Sequence, residues 1–234
     1  MSFLKAGVVD IELVTDHAIS ATMYDAAKKF NTKYIFQGHN QSSEFILPEA
    51  WIHWKNDALN IKSIHKKYGS VRLKTLPLLT FFKEYYHLKY RKTNYIYLLD
   101  YIDYNKKEAE LILKEEFGWK NYGAKHNESI FTRFYQNYIL PKKFNIDKRK
   151  AHLSSLICSN QITREEALEE LKTRCWETDE TKQDKAYVLK KLGVSETIFD
   201  AWMEETPVSH FDFASYLTRH NQIITALKKL IGKR

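Results

Sequence analysis

Between Trp119 and Leu168 the chain gathers Lys125, His126, Glu128, Arg133, Lys142, Lys143, Asp147, Arg149 and His152 around a short aromatic-rich segment. A helix over 128–138 would set Ser129, Thr132, Arg133 and Gln136 at i, i+3, i+4 and i+7, on one polar stripe. Ile130, Phe131, Phe134, Tyr135 and Tyr138 would take the other side and pack inward. Such cations suit a phosphate or carboxylate ligand, because Arg offers a planar fork and Lys a compact charge. The same residues also read as a solvated helix face followed by a basic loop, since charge runs commonly just face water. A second constellation, Gly38-His39-Asn40-Gln41-Ser42-Ser43-Glu44, follows the apolar run Lys33–Gln37. Strand, glycine, polar loop, then acid is the layout of an α/β ligand site, where pockets open at the carboxyl ends of parallel strands. Plain turn chemistry accounts for His39 and Asn40 equally well.

The frame that must position these groups is bounded by composition. With 234 residues, the chain can bury a core as one large domain or two small ones. An aromatic share of 14% with only 7 glycines points to a helix-rich body and away from a Gly-rich nucleotide loop. The net charge of +8 suits a negatively charged partner, but it is spread along the chain, which counts against nucleic acid. Cys158 and Cys175 form no C-x-x-C pair, so no metal or disulfide framework is indicated. No signal peptide or membrane-length apolar run is visible, so a cytoplasmic protein without membrane contact is expected.

Taken in order, Val8–Val14 reads as a short strand, and Thr15 or Asp16 caps a helix to about Lys29 with Ile19, Met23 and Ala27 on one face. Lys33–Gln37 is a buried strand. Trp51–Asn60 reads as an aromatic loop, Ile61–Tyr68 as a helix closed by Gly69. Leu78–Arg91 reads as a helix whose Phe81, Phe82, Tyr85 and Tyr86 pack inward. Tyr95–Leu99 is a second strand, followed by Asp100–Asp103. Asn105 with Glu108 opens a helix that Gly118 ends. Beyond residue 120 no strand signal remains. Thr163 with Glu166 makes another capping box, and helices follow at Gln183–Leu192, Ser195–Glu204 and Tyr216–Ile231, the last a core-docking amphipathic helix. The fold class expected is α/β over 1–118, a partial parallel sheet with helical crossovers, followed by an all-helical region over 119–234.

GHNQSSE (Gly38–Glu44) is similar to the strand-end motif of PP-loop ATP pyrophosphatases. TDHAI (Thr15–Ile19), WIHWKNDALNIKSIHKKYG (Trp51–Gly69), LLDYIDYNKKEAE (Leu98–Glu110) and the long run Gly118–Leu168 are more specific. Together, over nearly all of 3–205, they resemble the N-acetyl sugar amidotransferases of lipopolysaccharide O-antigen and flagellar sugar biosynthesis. The resemblance implies that ATP, with Mg, adenylates the oxygen of a sugar's N-acetyl group and that ammonia then displaces AMP, leaving an acetamidino group. It further implies a UDP-linked N-acetyl sugar substrate, a glutaminase partner that supplies ammonia, and a cyclase-like companion. Carried over, Gly38, His39, Asn40 and Glu44 lie beside ATP, Lys125, His126, Glu128 and Arg133 are catalytic, and Thr132, Gln136, Lys143, Arg149 and His152 bind substrate.

One departure is large. The S-G-G-x-D-S phosphate loop of the family, whose amides hold the pyrophosphate, has no counterpart in this sequence. The expectation is therefore a fragment, or a split enzyme whose separate N-terminal half supplies that loop, inactive by itself. A smaller one is Asn160, which stands in a turn where glycine would be unsurprising; Asn tolerates positive φ. Two other readings remain open: a tRNA-modifying PP-loop enzyme, and a non-catalytic half that docks on a glutaminase, with aromatics around Trp51–Trp54 at the interface.

Overall fold

A computed structural model describes residues 1–120 and 127–218. Helices dominate. Two strands of four residues each, β1 (Tyr34–Gln37) and β2 (Asn94–Tyr97), pair in parallel, and Asn94 N–H donates to the Lys33 carbonyl at 2.8 Å where the ladder starts. The chain divides into two units, one made of 1–35, 52–95 and 206–234, the other of 36–51 and 96–205. Among the described residues, no helix is long and apolar enough to cross a membrane.

In the first unit, α1 (Ser2–Ala6) packs on α4 (Ala58–Tyr68), and α2 (Leu13–Lys29) carries the core residues Ala21, Tyr24 and Ala27 against Ile35, Leu79 and Tyr95. The buried face of α2 is Leu13, His17, Ala21, Tyr24 and Ala27, so Ile19 and Met23 point outward rather than inward. Val8–Val14 forms no strand. Val8 makes a single parallel bridge to Val208, and helix begins by Leu13. β-branched residues favour a strand only where a neighbour lies alongside to pack against, and here only one residue has one. The expected helix over Leu78–Arg91 starts later, as α5 (Phe81–Tyr85) capped by Thr80, and runs on as a π turn over Tyr86–Tyr90.

In the second unit, the segment 41–44 forms the short helix α3 (Gln41–Glu44), which packs on α9 (Lys148–Cys158). α6 (Lys106–Phe117) starts on the Asn105 cap and stops at Gly118, whose φ of 63° is the left-handed value a helix end needs. The polar-stripe helix begins at Ile130, not Glu128, because the Ser129 side chain caps Thr132 N–H. It continues as α7 (Ile130–Phe134), a π turn over Tyr135–Ile139 and α8 (Leu140–Phe144). Phe134, Tyr135, Ile139 and Leu140 are buried, and α7 packs on α11 (Asp179–Leu192). α10 (Arg164–Leu171) opens with the Thr163–Glu166 capping box, and α12 (Glu196–Glu204) with the Ser195 cap.

Candidate functional site

At the carboxyl end of β1 the backbone leaves the ladder at Gly38 and turns into α3. Asn40 is extended, and its Oδ1 accepts both Ser43 N–H at 2.9 Å and Ser43 Oγ–H at 3.0 Å, closing the turn. His39 Nε2 lies 2.6 Å from Glu44 Oε2, and the His39 ring meets the Tyr97 ring edge-on at 6.4 Å. From the carboxyl end of β2, Asp100 Oδ1 accepts Gln41 N–H at 2.8 Å. α9 braces the loop from below. Ser155 Oγ accepts Ile46 N–H at 3.0 Å, Ser159 Oγ donates to the Ser42 carbonyl at 2.8 Å, and His152 Nδ1 sits 2.9 Å from the Ser43 carbonyl. The loop is thus rigid, while the His39 side chain stays 62% exposed. An exposed imidazole within ion-pair distance of a carboxylate is a residue type and pairing that general-base chemistry uses.

Three backbone amides in and just after this loop are not open to a phosphate. A phosphate cradle needs unspent backbone amides, yet the Gln41, Ser43 and Ile46 amides already donate to Asp100, Asn40 and Ser155. Among the described residues, no group of three or more His, Cys, Asp or Glu side chains could hold a metal ion.

The basic constellation of the sequence is distributed rather than gathered. Arg133 forks onto Asp184, with Nε at 2.7 Å and Nη2 at 2.8 Å, and its Nη1 pairs with Glu180 at 2.8 Å, tying α7 to α11. Asp184 raises the Arg133 pKa above its ordinary value, against a smaller effect of burial. Arg149 turns back on Asp147, with Nη2 at 2.7 Å, and donates to the Glu170 carbonyl. Lys143 donates to the Trp202 and Glu205 carbonyls, closing the C-terminus of α12, where partial burial lowers its pKa. Thr132 and Gln136 lie half-buried on the helix, and Glu128 is exposed before it. Lys125 and His126 fall outside the described residues. Of the residues expected on the substrate side, His152 reaches the strand-end loop.

Sequence reasoning passed over Asp100 and Tyr97, whose only signal was their place at the end of a strand. It also missed a buried polar network in the first unit. Asp57 accepts from His53 Nε2 at 3.0 Å, Ser215 Oγ at 2.6 Å and the Asn60 and Tyr216 amides. Burial alone would raise the Asp57 pKa, but these donors more than offset it and hold it low. His53 and His210 stack with centroids 4.5 Å apart. His210 Nε2 accepts Asp10 N–H at 3.3 Å while Nδ1 faces Asn60 Oδ1 at 2.8 Å, which fixes a neutral ring with its proton on Nδ1. Burial, with His53 and Lys55 nearby, lowers the His210 pKa to about 3. Asp10 in turn holds Lys55, whose charge Asp10 and Asp16 sustain against burial.

Residues 128–228 match the model of a family described as LPS biosynthesis protein WbpG-like, C-terminal domain. The match covers α7 to α12, the helical platform that carries His152 and braces the strand-end loop. No curated protein and no solved structure matches the chain.

Proposed function

We propose that this chain is the sugar-side part of an ATP-dependent amidotransferase that converts an N-acetyl group to an acetamidino group during surface-polysaccharide biosynthesis. The lipopolysaccharide-related match over 128–228 supports the pathway. The observation that carries the reaction is the His39–Glu44 pair, rigidly held where two parallel strands end. In this reading, ammonia attacks the carbon of the O-adenylated amide, the C–O bond breaks and AMP leaves, and the proton that the nitrogen sheds passes to His39 while Glu44 steadies the imidazolium. Asp100 positions the loop by accepting Gln41 N–H. ATP and Mg would be held chiefly by a phosphate-loop segment, and ammonia would come from a glutaminase partner.

The test is pyrophosphate release from ATP with ammonium and a UDP-linked N-acetyl sugar. It is run on the chain alone and with the phosphate-loop half of a related amidotransferase added. Release only from the mixture is expected. Release by the chain alone would overturn the shared site, and silence of the mixture would overturn the reaction.

A further inference from the structure

The segment from Phe81 to Tyr90 is built inside out. Phe82, Tyr85, Tyr86, Lys89 and Tyr90 recur at i, i+3, i+4, i+7 and i+8, the spacing that normally turns an apolar stripe to the core. Here that stripe faces solvent: Phe82 is 81% exposed and Tyr90 73%, with Tyr85, Tyr86 and the neighbouring Leu88 also exposed. The residue of this segment that is buried is polar: His87, 4.8 Å from the Tyr24 ring. An exposed apolar patch of this size on a soluble surface marks contact with something apolar.

What surrounds the stripe narrows the occupant. Arg91 Nη2 donates to the Ala27 carbonyl at 3.2 Å, which brings the end of α2 to the end of the π turn. Lys28 Nζ then lies 5.8 Å from the centre of the Tyr86 ring, and Lys29 Nζ 5.4 Å from that of Phe30, itself 73% exposed. Lys28, Lys29, Lys89 and Lys92 take part in no ion pair among the described residues. Lysines at helix C-termini are favoured by the dipole, but that does not explain rings of Phe and Tyr set among them. The rings also use their faces on one another, with Tyr86 on Tyr90 at 6.1 Å and Phe81 on Tyr85 at 6.4 Å. Bases of a single-stranded nucleic acid need open ring faces. Acyl chains and headgroups do not: Phe and Leu enter the acyl boundary, Tyr rests at headgroup level and Lys meets anionic lipid.

We propose that Phe30, Phe82, Tyr86, Leu88 and Tyr90, rimmed by Lys28, Lys29, Lys89 and Lys92, form a surface that docks the protein reversibly on an anionic lipid bilayer. This surface is independent of the reaction at the strand-end loop and revises the membrane-free protein that the sequence suggests.

The test is co-sedimentation of the full chain with 100 nm vesicles of phosphatidylcholine and phosphatidylglycerol at about 7:3, beside vesicles of phosphatidylcholine alone. Binding to the anionic vesicles only, weakening with added salt, is expected. The double substitution Phe82→Ser with Tyr90→Ser should lower binding about tenfold, and Lys28→Glu with Lys89→Glu should abolish it. All four positions are exposed, so an unchanged circular dichroism spectrum and melting temperature accompany each variant. Absence of binding to the anionic vesicles would overturn the proposal. So would binding that ignores the ring substitutions, or a dT20 oligonucleotide that binds with those rings in preference to the vesicles.

Discussion

The two units each hold a constellation of histidine and carboxylate, and they use it in opposite ways. In the first, His53, Asp57, Asn60, His210 and Ser215 are all buried and spend their polar atoms on each other and on backbone amides. In the second, Glu44 is largely covered while its partner His39 projects from a braced loop into solvent. The chemistry of the residue types is nearly the same; burial and completeness of pairing differ. A closed network fixes three distant chain segments and leaves no atom for a ligand. An open pair at a strand end keeps one.

That contrast predicts where substitutions break folding and where they break chemistry. Asp57→Ala should be the most damaging, because it strips a fully buried acceptor from four donors, at a cost of about 5 kcal/mol. Urea unfolding should show little folded protein left. Acid comes next. Unfolded His210 takes up a proton as pH falls through about 6.5, whereas the folded ring resists until about 3. The unfolded state therefore binds more protons across that window, and stability should fall from pH 6.5 towards 3 by on the order of 4 kcal/mol. His17, also lowered by burial, acts in the same direction. The slope measured by denaturant titration at several pH values should shrink in His210→Gln.

Arg133→Ala should cost about 3 kcal/mol, since it leaves Asp184 buried without its fork. Arg133→Lys should recover only part of this, because an ammonium cannot satisfy both oxygens. A direct role on substrate would instead leave the unfolding curve of Arg133→Ala unmoved. His39→Ala should be the mildest for folding, within about 0.5 kcal/mol by the same titration, as exposed positions usually are.

Much of the frame was legible because its signals are local. Asn105, Thr163 with Glu166, Ser195 and Gly118 mark helix ends through bonds spanning three or four residues, and Asn160 does adopt the positive φ, 56°, that asparagine tolerates. The turn that carries Gly38, His39 and Glu44 was legible for the same reason: strand, turn and acid lie within one short segment. Long-range partners were not legible. Asp57 meets Ser215 and Asn60 meets His210 across some 150 residues, and nothing in their spacing announces it. Val8–Val14 carried strand propensity, but Val8 alone forms a bridge, to Val208. The cations between Arg133 and Arg149 have partners that the sequence does not announce either. Neighbours along a helix project in different directions, so residues close in sequence reach Asp184, the end of α12 and Asp147 separately. The aromatics of Phe81–Tyr86 had core spacing, which does not say on which side the core lies.

The central claim is that chemistry resides at His39 and structure at Arg133 and Asp57. Formation of AMP and of the acetamidino product by the complemented enzyme should therefore be measured for His39→Ala and for His39→Gln. Both should be folded like the parent at neutral pH and both should lose product formation by at least about a hundredfold, the lower range for a general base. Product formation at the parental rate from a folded His39→Ala would contradict the account.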